Sequence, residues 1–175
     1  MSQFHRIPTI ETERLILRAP TRADFEPYAE ILLSKRAQYM FAPMDRQQAW
    51  NYFANDAASW VIDGFGTWTA ADKTTDAPRV FLGYNKPAMF PELELGWMTP
   101  VDAEGQGFAF EAAQAAQRWG FDNLSVASFV SYITPENARS IALAKRLGGT
   151  HDPDAPRPDG ESAEETAVYR HRRAA

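Results

Sequence analysis

The chain has 175 residues, enough for one domain with a sizeable core, and its 45% hydrophobic and 13% aromatic content places it outside the disordered class. A formal net charge of −5 with no long basic run argues against a broad nucleic-acid footprint, and the absence of cysteine excludes disulfides, thiolate metal sites and cysteine nucleophiles. The opening "MSQFHRIPTI" lacks an apolar signal core and no run approaches the roughly 18 apolar residues that span a bilayer, so a cytoplasmic protein without membrane contact is expected.

In chain order, "RLILRA" (14–19) alternates apolar and polar residues and predicts a first strand. "TRADFEPYAEILLS" (21–34) carries Phe25, Tyr28, Ala29, Leu32 and Leu33 at helical spacing, with Thr21 as N-cap. A second helix is predicted over 45–63, its Trp50, Phe53, Ala57 and Trp60 read as core rather than ligand cage, and Gly64 and Gly66 end it. "TWTAAD" (67–72) and "RVFLGYN" (79–85) are strands joined by a turn-rich link, and "LELGWMT" (93–99) is another that closes at Pro100. A helix follows from about Phe108 to Phe121, then the strand "VASFVSYI" (126–133). The helix "PENARSIALAKRLGG" (135–149) stops at Gly148 and Gly149. The polar stretch 151–165 reads as a loop, and "TAVYRHRR" as a last strand whose "RHRR" is its solvated end.

"DAEGQGFAFEAA" (102–113) places two glycines at the mouth of the third helix. A helix N-terminus has unpartnered N–H groups and partial positive charge, and glycine allows close approach, so the stretch suits a phosphate. A Walker loop would need Lys and Ser or Thr after its second glycine, where Phe108 stands, and a dinucleotide fingerprint would need a third glycine where Phe110 stands. Without further context, a plain strand-to-helix turn explains Gly105 and Gly107 equally well.

The context is "LELGWMTPVDAEGQGFAFEAAQAAQRWGF" followed by "SYITPENARSIALAKRLGG", with "TERLILRAP" and "DGFGTWTAAD" before them. This order of motifs resembles the GNAT superfamily of acetyl-CoA-dependent N-acetyltransferases, in particular its branch of ribosomal-protein N-terminal (RimJ/RimL-like) acetyltransferases. The resemblance implies an α/β (α+β) fold over 1–175 as a single GNAT domain. Its mostly antiparallel central sheet would have about six to seven strands, splayed between the fourth and fifth and flanked by helices. It also implies that backbone N–H groups from Gly105, Gln106, Gly107, Phe108 and Ala109 hold the coenzyme A pyrophosphate. Backbone of Met98 and Thr99 would pair with the pantetheine arm, and Asn137 would contact the coenzyme. Glu104 departs from the Gln or Arg of the family's phosphate loop and receives no binding role.

The amine must attack neutral, so a base is required. Glu94, on the Gly-Trp strand, is the candidate by resemblance and position, with Glu92 on the same strand face as a second carboxylate. Ser140 is the candidate proton donor to the leaving thiolate, because Ala144 stands where many relatives carry a tyrosine; Asn137 also suits an N-cap, and Ser140 a solvated face. Tyr84 and Phe90 are candidates for the border of the acceptor pocket. His5, His151 and His171 are scattered without metal-ligand spacing, and no metal is expected. The implied reaction is acetyl transfer from acetyl-CoA, as co-substrate, to a protein N-terminus or small-molecule amine. The alternative is a noncatalytic acyl-CoA-binding sensor or scaffold, which the Glu104 departure and the missing tyrosine favour. A homodimer is the family-level expectation, with no direct nucleic-acid partner.

Overall fold

The computed structural model describes residues 7–40 and 42–173; His5 lies outside them. In chain order the elements are β1 (Ile10–Glu11), β2 (Leu15–Arg18), α1 (Phe25–Leu32), α2 (Arg46–Ile62), β3 (Thr67–Asp72), β4 (Pro78–Asn85), β5 (Glu94–Met98), α3 (Phe108–Asn123), β6 (Ser128–Ile133), α4 (Ala138–Arg146), β7 (Thr150–His151) and β8 (Ala167–Arg172). They form one eight-stranded sheet in the order β1-β2-β3-β4-β5-β6-β8-β7, antiparallel except for the parallel β5–β6 pair. The count exceeds the expected six to seven because β1 and β7 are two-residue edge strands, too short to show a period.

Side-chain alternation divides the sheet into two faces. Val80, Leu82 and Tyr84 of β4 and Leu95 of β5 pack with Ala112, Ala113 and Ala116 of α3, small residues that let the helix lie close. Phe81, pointing the other way, meets Phe25, Tyr28 and Ile31 of α1 and Ala49 and Phe53 of α2. Trp50 stacks edge-on against Phe25 at 5.0 Å and Trp60 is buried on Trp68 at 4.6 Å, so the aromatic face of α2 is core, as its spacing predicts. α2 starts cleanly because the Asp45 carboxylate accepts the Gln48 N–H at 2.8 Å, while the Gln48 side chain accepts the Asp45 N–H.

The "RHRR" segment differs from its solvated reading. His171 is fully buried, stacked on Phe129, with Nε2 3.2 Å from the Ser131 hydroxyl, and burial lowers its pKa to about 4. Arg170 binds Glu92 through two bonds of 2.6 and 2.8 Å and Asp152 through one of 2.6 Å. A one-residue period cannot reveal that β8 is internal, covered by β7 on one edge and β6 on the other.

Gly83 of β4 is sterically required. A Cβ there would drive into the Gly66 carbonyl and the Thr67 Cα of the neighbouring strand start, which are backbone atoms with no rotamer to yield. Gly83→Ala is expected to destabilise the fold by about 2–3 kcal/mol, read from the midpoint of a urea titration. Among the described residues no helix is long and apolar enough to cross a membrane.

Candidate active site

The parallel β5–β6 pairing is brief. It registers Glu94 with Val130, and the Val130 N–H donates to Leu93 O at 2.9 Å; beyond that point the strands diverge. The Ser131 hydroxyl fills the first gap by donating to Leu95 O at 2.7 Å. Since Leu93 and Leu95 turn their carbonyls toward β6, alternation puts the backbone of Trp97 and Thr99 on the same open edge. The backbone of Met98 faces Phe81 of β4 instead. Of the two residues expected to pair with a pantetheine arm, Thr99 lies on this open edge and Met98 does not, whereas Trp97 does, a parity that the sequence alone does not set. The Thr99 carbonyl accepts from Arg36 at 2.7 Å.

Two cavities meet at this opening. One, of about 670 Å³, runs over Gly105, Gly107, Phe108 and Ala109 and is lined by Arg36, Arg139 and Arg146. The other, of about 240 Å³, lies between α2, β4, β5, β6 and the loop before β8. Trp97, Met98, Asn137, Ser140, Tyr39 and Met40 border both, which makes them one continuous cleft.

At the larger cavity, Gly105 and Gly107 have φ of +71° and +80°, backbone that only glycine adopts without strain, and Gly107 is the N-cap of α3. The first turn of α3 thus presents N–H groups without intrahelical acceptors to the cavity. Phe108 contributes backbone only, since its ring is buried with Arg14 stacked 4.4 Å above it. Gln106 does not line the cavity; its side chain turns back to Asp102 O at 2.6 Å and its carbonyl accepts from Arg14. Glu104 binds Arg36 at 2.5 Å and Arg139 at 2.8 Å, and the Arg36 guanidinium holds its carboxyl below the usual range. It thereby fixes two cations at the rim of the anion cradle.

At the smaller cavity, Glu94 is half-buried on the sheet face opposite α3. Burial pushes its pKa up to about 7; repulsion from Glu161 and Asp56 adds to the rise, and hydrogen bonds from the Tyr132 N–H and Asn85 oppose it. Gly96 leaves room beside the carboxylate, since a Cβ there would lie 3.5 Å from Glu94 Oε2. Asp56 of α2 accepts from the Tyr28 hydroxyl at 2.7 Å, and burial raises its pKa to about 6. Glu92 does not join this group, because Arg170 holds it outside the cleft. Phe90 lines the cavity, edge-on to Tyr132 at 5.1 Å, whereas Tyr84 is core, its hydroxyl on Ala116 O at 3.0 Å.

Ser140 stands where the cavities join. Its hydroxyl accepts from Trp97 Nε1 at 3.3 Å, which leaves its own hydrogen free to donate. Asn137 caps α4 by accepting the Ser140 N–H at 3.2 Å, and it lines both cavities. Ala144 is buried against Ile133 and Tyr169 and lines neither cavity. Asp56, Tyr132 and Arg36 belong to the site without any sequence motif.

The sheet is thus opened at one parallel junction, with a glycine-lined cavity flanked by arginines on one side and a half-buried carboxylate on the other. The acetyltransferase (GNAT) domain family matches residues 14–150, and the chain belongs to it. An acetyltransferase from Agrobacterium tumefaciens str. C58 is 40% identical, over 95% of each chain, with a TM-score of 0.88. RimL, the ribosomal L7/L12 α-N-protein acetyltransferase in complex with coenzyme A, shares the fold at 16% identity, with a TM-score of 0.71 over 94% of this chain and 98% of its own. The "uncharacterized N-acetyltransferase YnaD" of Bacillus subtilis (strain 168) is 33% identical over 55 residues, 31% of this chain. The match spans only 32% of YnaD's length and 51% of that of a second B. subtilis relative, YkkB.

Proposed function

We propose that this chain, acting over 1–175 as one domain, transfers the acetyl group of acetyl-CoA to a primary amine by direct attack on the thioester. The observation that carries the reading is the continuity of the two cavities across the β5–β6 opening, with Gly105 and Gly107 at one end and Glu94 at the other. The cradle fits the coenzyme: N–H groups of Gly107, Phe108 and Ala109 face the pyrophosphate, and Arg36, Arg139 and Arg146 supply cationic charge. Trp97 and Thr99 offer the open strand edge to the pantetheine amides, and the Trp97 N–H is the donor placed to polarise the thioester carbonyl.

Glu94 takes a proton from the incoming ammonium, directly or through water, and frees the lone pair. The amine nitrogen bonds to the carbonyl carbon and gives up its remaining surplus proton to water, the C–S bond breaks, and the Ser140 hydroxyl donates to the departing thiolate, to be reprotonated from solvent. Holding both reactants in one cleft supplies much of the rate. The acceptor is either a protein N-terminus, as the name of the RimL relative describes for RimL, or a small-molecule amine. The test is release of coenzyme A thiol from acetyl-CoA in the presence of amines; with no cysteine in the chain, every titrated thiol is coenzyme. Amine-dependent release is expected. Tight acetyl-CoA binding without turnover over a broad amine panel would instead identify a noncatalytic binding module, the reading that Ala144 favours.

A further inference from the structure

The carboxylates of this protein that the fold draws in from solvent are mostly matched by cations. Asp24 is held by Arg18 at 2.8 Å, Glu92 by Arg170 at 2.6 Å and Glu111 by Arg14 at 2.6 Å. Asp56 and Glu94 are exceptions: among the described residues neither has an ion-pair partner, and no Lys, Arg or His lines their cavity. A third carboxylate, Glu161, borders the same cavity from the loop before β8 and has the Thr166 hydroxyl, not a cation, as its hydrogen-bond partner. Each comes from a different element: α2, β5 and the loop. Leaving Asp56 and Glu94 half-buried without a counter-charge is costly, and a space bordered by one sign of charge, with the exposed Glu161 at its edge, draws in the opposite one.

The nature of the missing cation follows from spacing and size. The three carboxylates do not form a group that could share a metal ion among the described residues. They are distributed along a cavity walled also by the rings of Tyr28, Phe90 and Tyr132, which suits an extended aliphatic cation and its methylenes. Its volume of about 240 Å³ is enough for a short aliphatic chain. A protein N-terminus brings one positive charge, followed by amides that need hydrogen-bond partners of their own. One of the three carboxylates suffices for that charge.

We infer that the acceptor is a small aliphatic amine with at least two positive charges, a diamine or polyamine, whose reacting nitrogen lies at Glu94 while a second ammonium is held by Asp56 within the cavity or Glu161 at its mouth. This rests on the acetyl-transfer reading above. Asp56 and Glu161 are then specificity residues, acting on the distant charge rather than on the bond being made.

The experiment measures kcat/KM by thiol release at saturating acetyl-CoA with 1,4-diaminobutane, spermidine, n-butylamine and a serine-initiated hexapeptide. A diamine or polyamine preference over n-butylamine of at least about tenfold is expected, the scale of one charge-assisted hydrogen bond. Asp56→Asn and, separately, Glu161→Gln should each lower the ratio of diamine to butylamine, chiefly through the KM of the diamine. Asp56→Asn disturbs the contact with Tyr28, so Glu161→Gln, on the exposed loop, keeps the test open if the first variant folds poorly. Equal use of butylamine and the diamines, a preference for the peptide, or an unchanged ratio in both folded variants would overturn the inference while leaving acetyl transfer standing. Failure of every amine to release thiol from an enzyme that binds acetyl-CoA would strike the acetyl-transfer reading itself.

Discussion

Glu94→Gln is expected to lower amine-dependent coenzyme A release by about 10²–10³-fold, the range for loss of a positioned general base. The carboxylate is kept half-buried on the acceptor face, and its pKa of about 7 is set chiefly by burial. A base of that strength is ionised in useful amounts near neutrality and still accepts a proton from an ammonium. In the wild type, kcat/KM should therefore climb through pH 7 as Glu94 ionises and then level off, because the ammonium it deprotonates persists until the pKa of the amine. In Glu94→Gln the break near 7 should vanish, leaving only the dependence of the amine. Stability supplies an independent reading with a definite sign. A carboxyl whose pKa is higher in the folded than in the unfolded state binds more protons when folded, so its contribution weakens as pH rises from about 4.5 through 7. Replacing it with neutral glutamine removes that penalty, and the variant should be more stable than wild type at pH 8 by about 1–2 kcal/mol while being nearly inactive. Activity within threefold of wild type, with the break near pH 7 retained, would move the base to another residue.

What the sequence discloses, and what it withholds, follows the range of the interactions. Local patterns carry far: alternation in "RLILRA" and "TWTAAD" marks β2 and β3, and the spacing of Gly105 and Gly107 before an alanine-rich run marks the anion cradle. Glu94 is legible only through its place beside Gly-Trp. Asp56 is not legible at all, because the aromatic period of α2 accounts for the helix without it. Its significance depends on where β4 and β5 pass, and on Tyr28 donating from another helix. Glu161 lies in a polar, proline-containing stretch that reads as featureless, and it becomes a cavity wall only when the chain folds back along β6. Arg36 sits in a 3-10 turn with no apolar period, and its bonds to Thr99 and Glu104 span more than 60 residues. Glu104 shows the reverse problem. As a departure from the family's loop it looks like a loss, yet in the folded chain it anchors the two arginines that border the cradle. That Trp97 and not Met98 lies on the open edge follows from the partner strand, through the bond from Val130 to Leu93.

Gly107→Val is expected to weaken acetyl-CoA binding at least about 100-fold in a calorimetric titration, with ATP and NAD binding neither protein. Two effects act together at this residue. With φ of +80° it occupies left-handed backbone, where a β-branched side chain costs about 1–2 kcal/mol or more, and any relief rotates the first turn of α3 away from the cleft. The added isopropyl group also occupies space within the cluster of N–H donors that a pyrophosphate needs to approach. The fold itself has room, since a Cβ there would lie 3.5 Å from Arg14 Nη2, an ordinary contact. Binding should therefore suffer more than stability. Gly64→Val separates the two effects, because Gly64 has nearly the same φ, +78°, past the end of α2, with nothing within 4 Å of a Cβ. That variant should lose comparable stability and retain acetyl-CoA affinity. Retention of affinity by folded Gly107→Val within tenfold of wild type would reduce the two glycines to a turn and place the pyrophosphate elsewhere. No acetyl-CoA binding by folded wild type would remove the basis for acetyl transfer and for the diamine acceptor together.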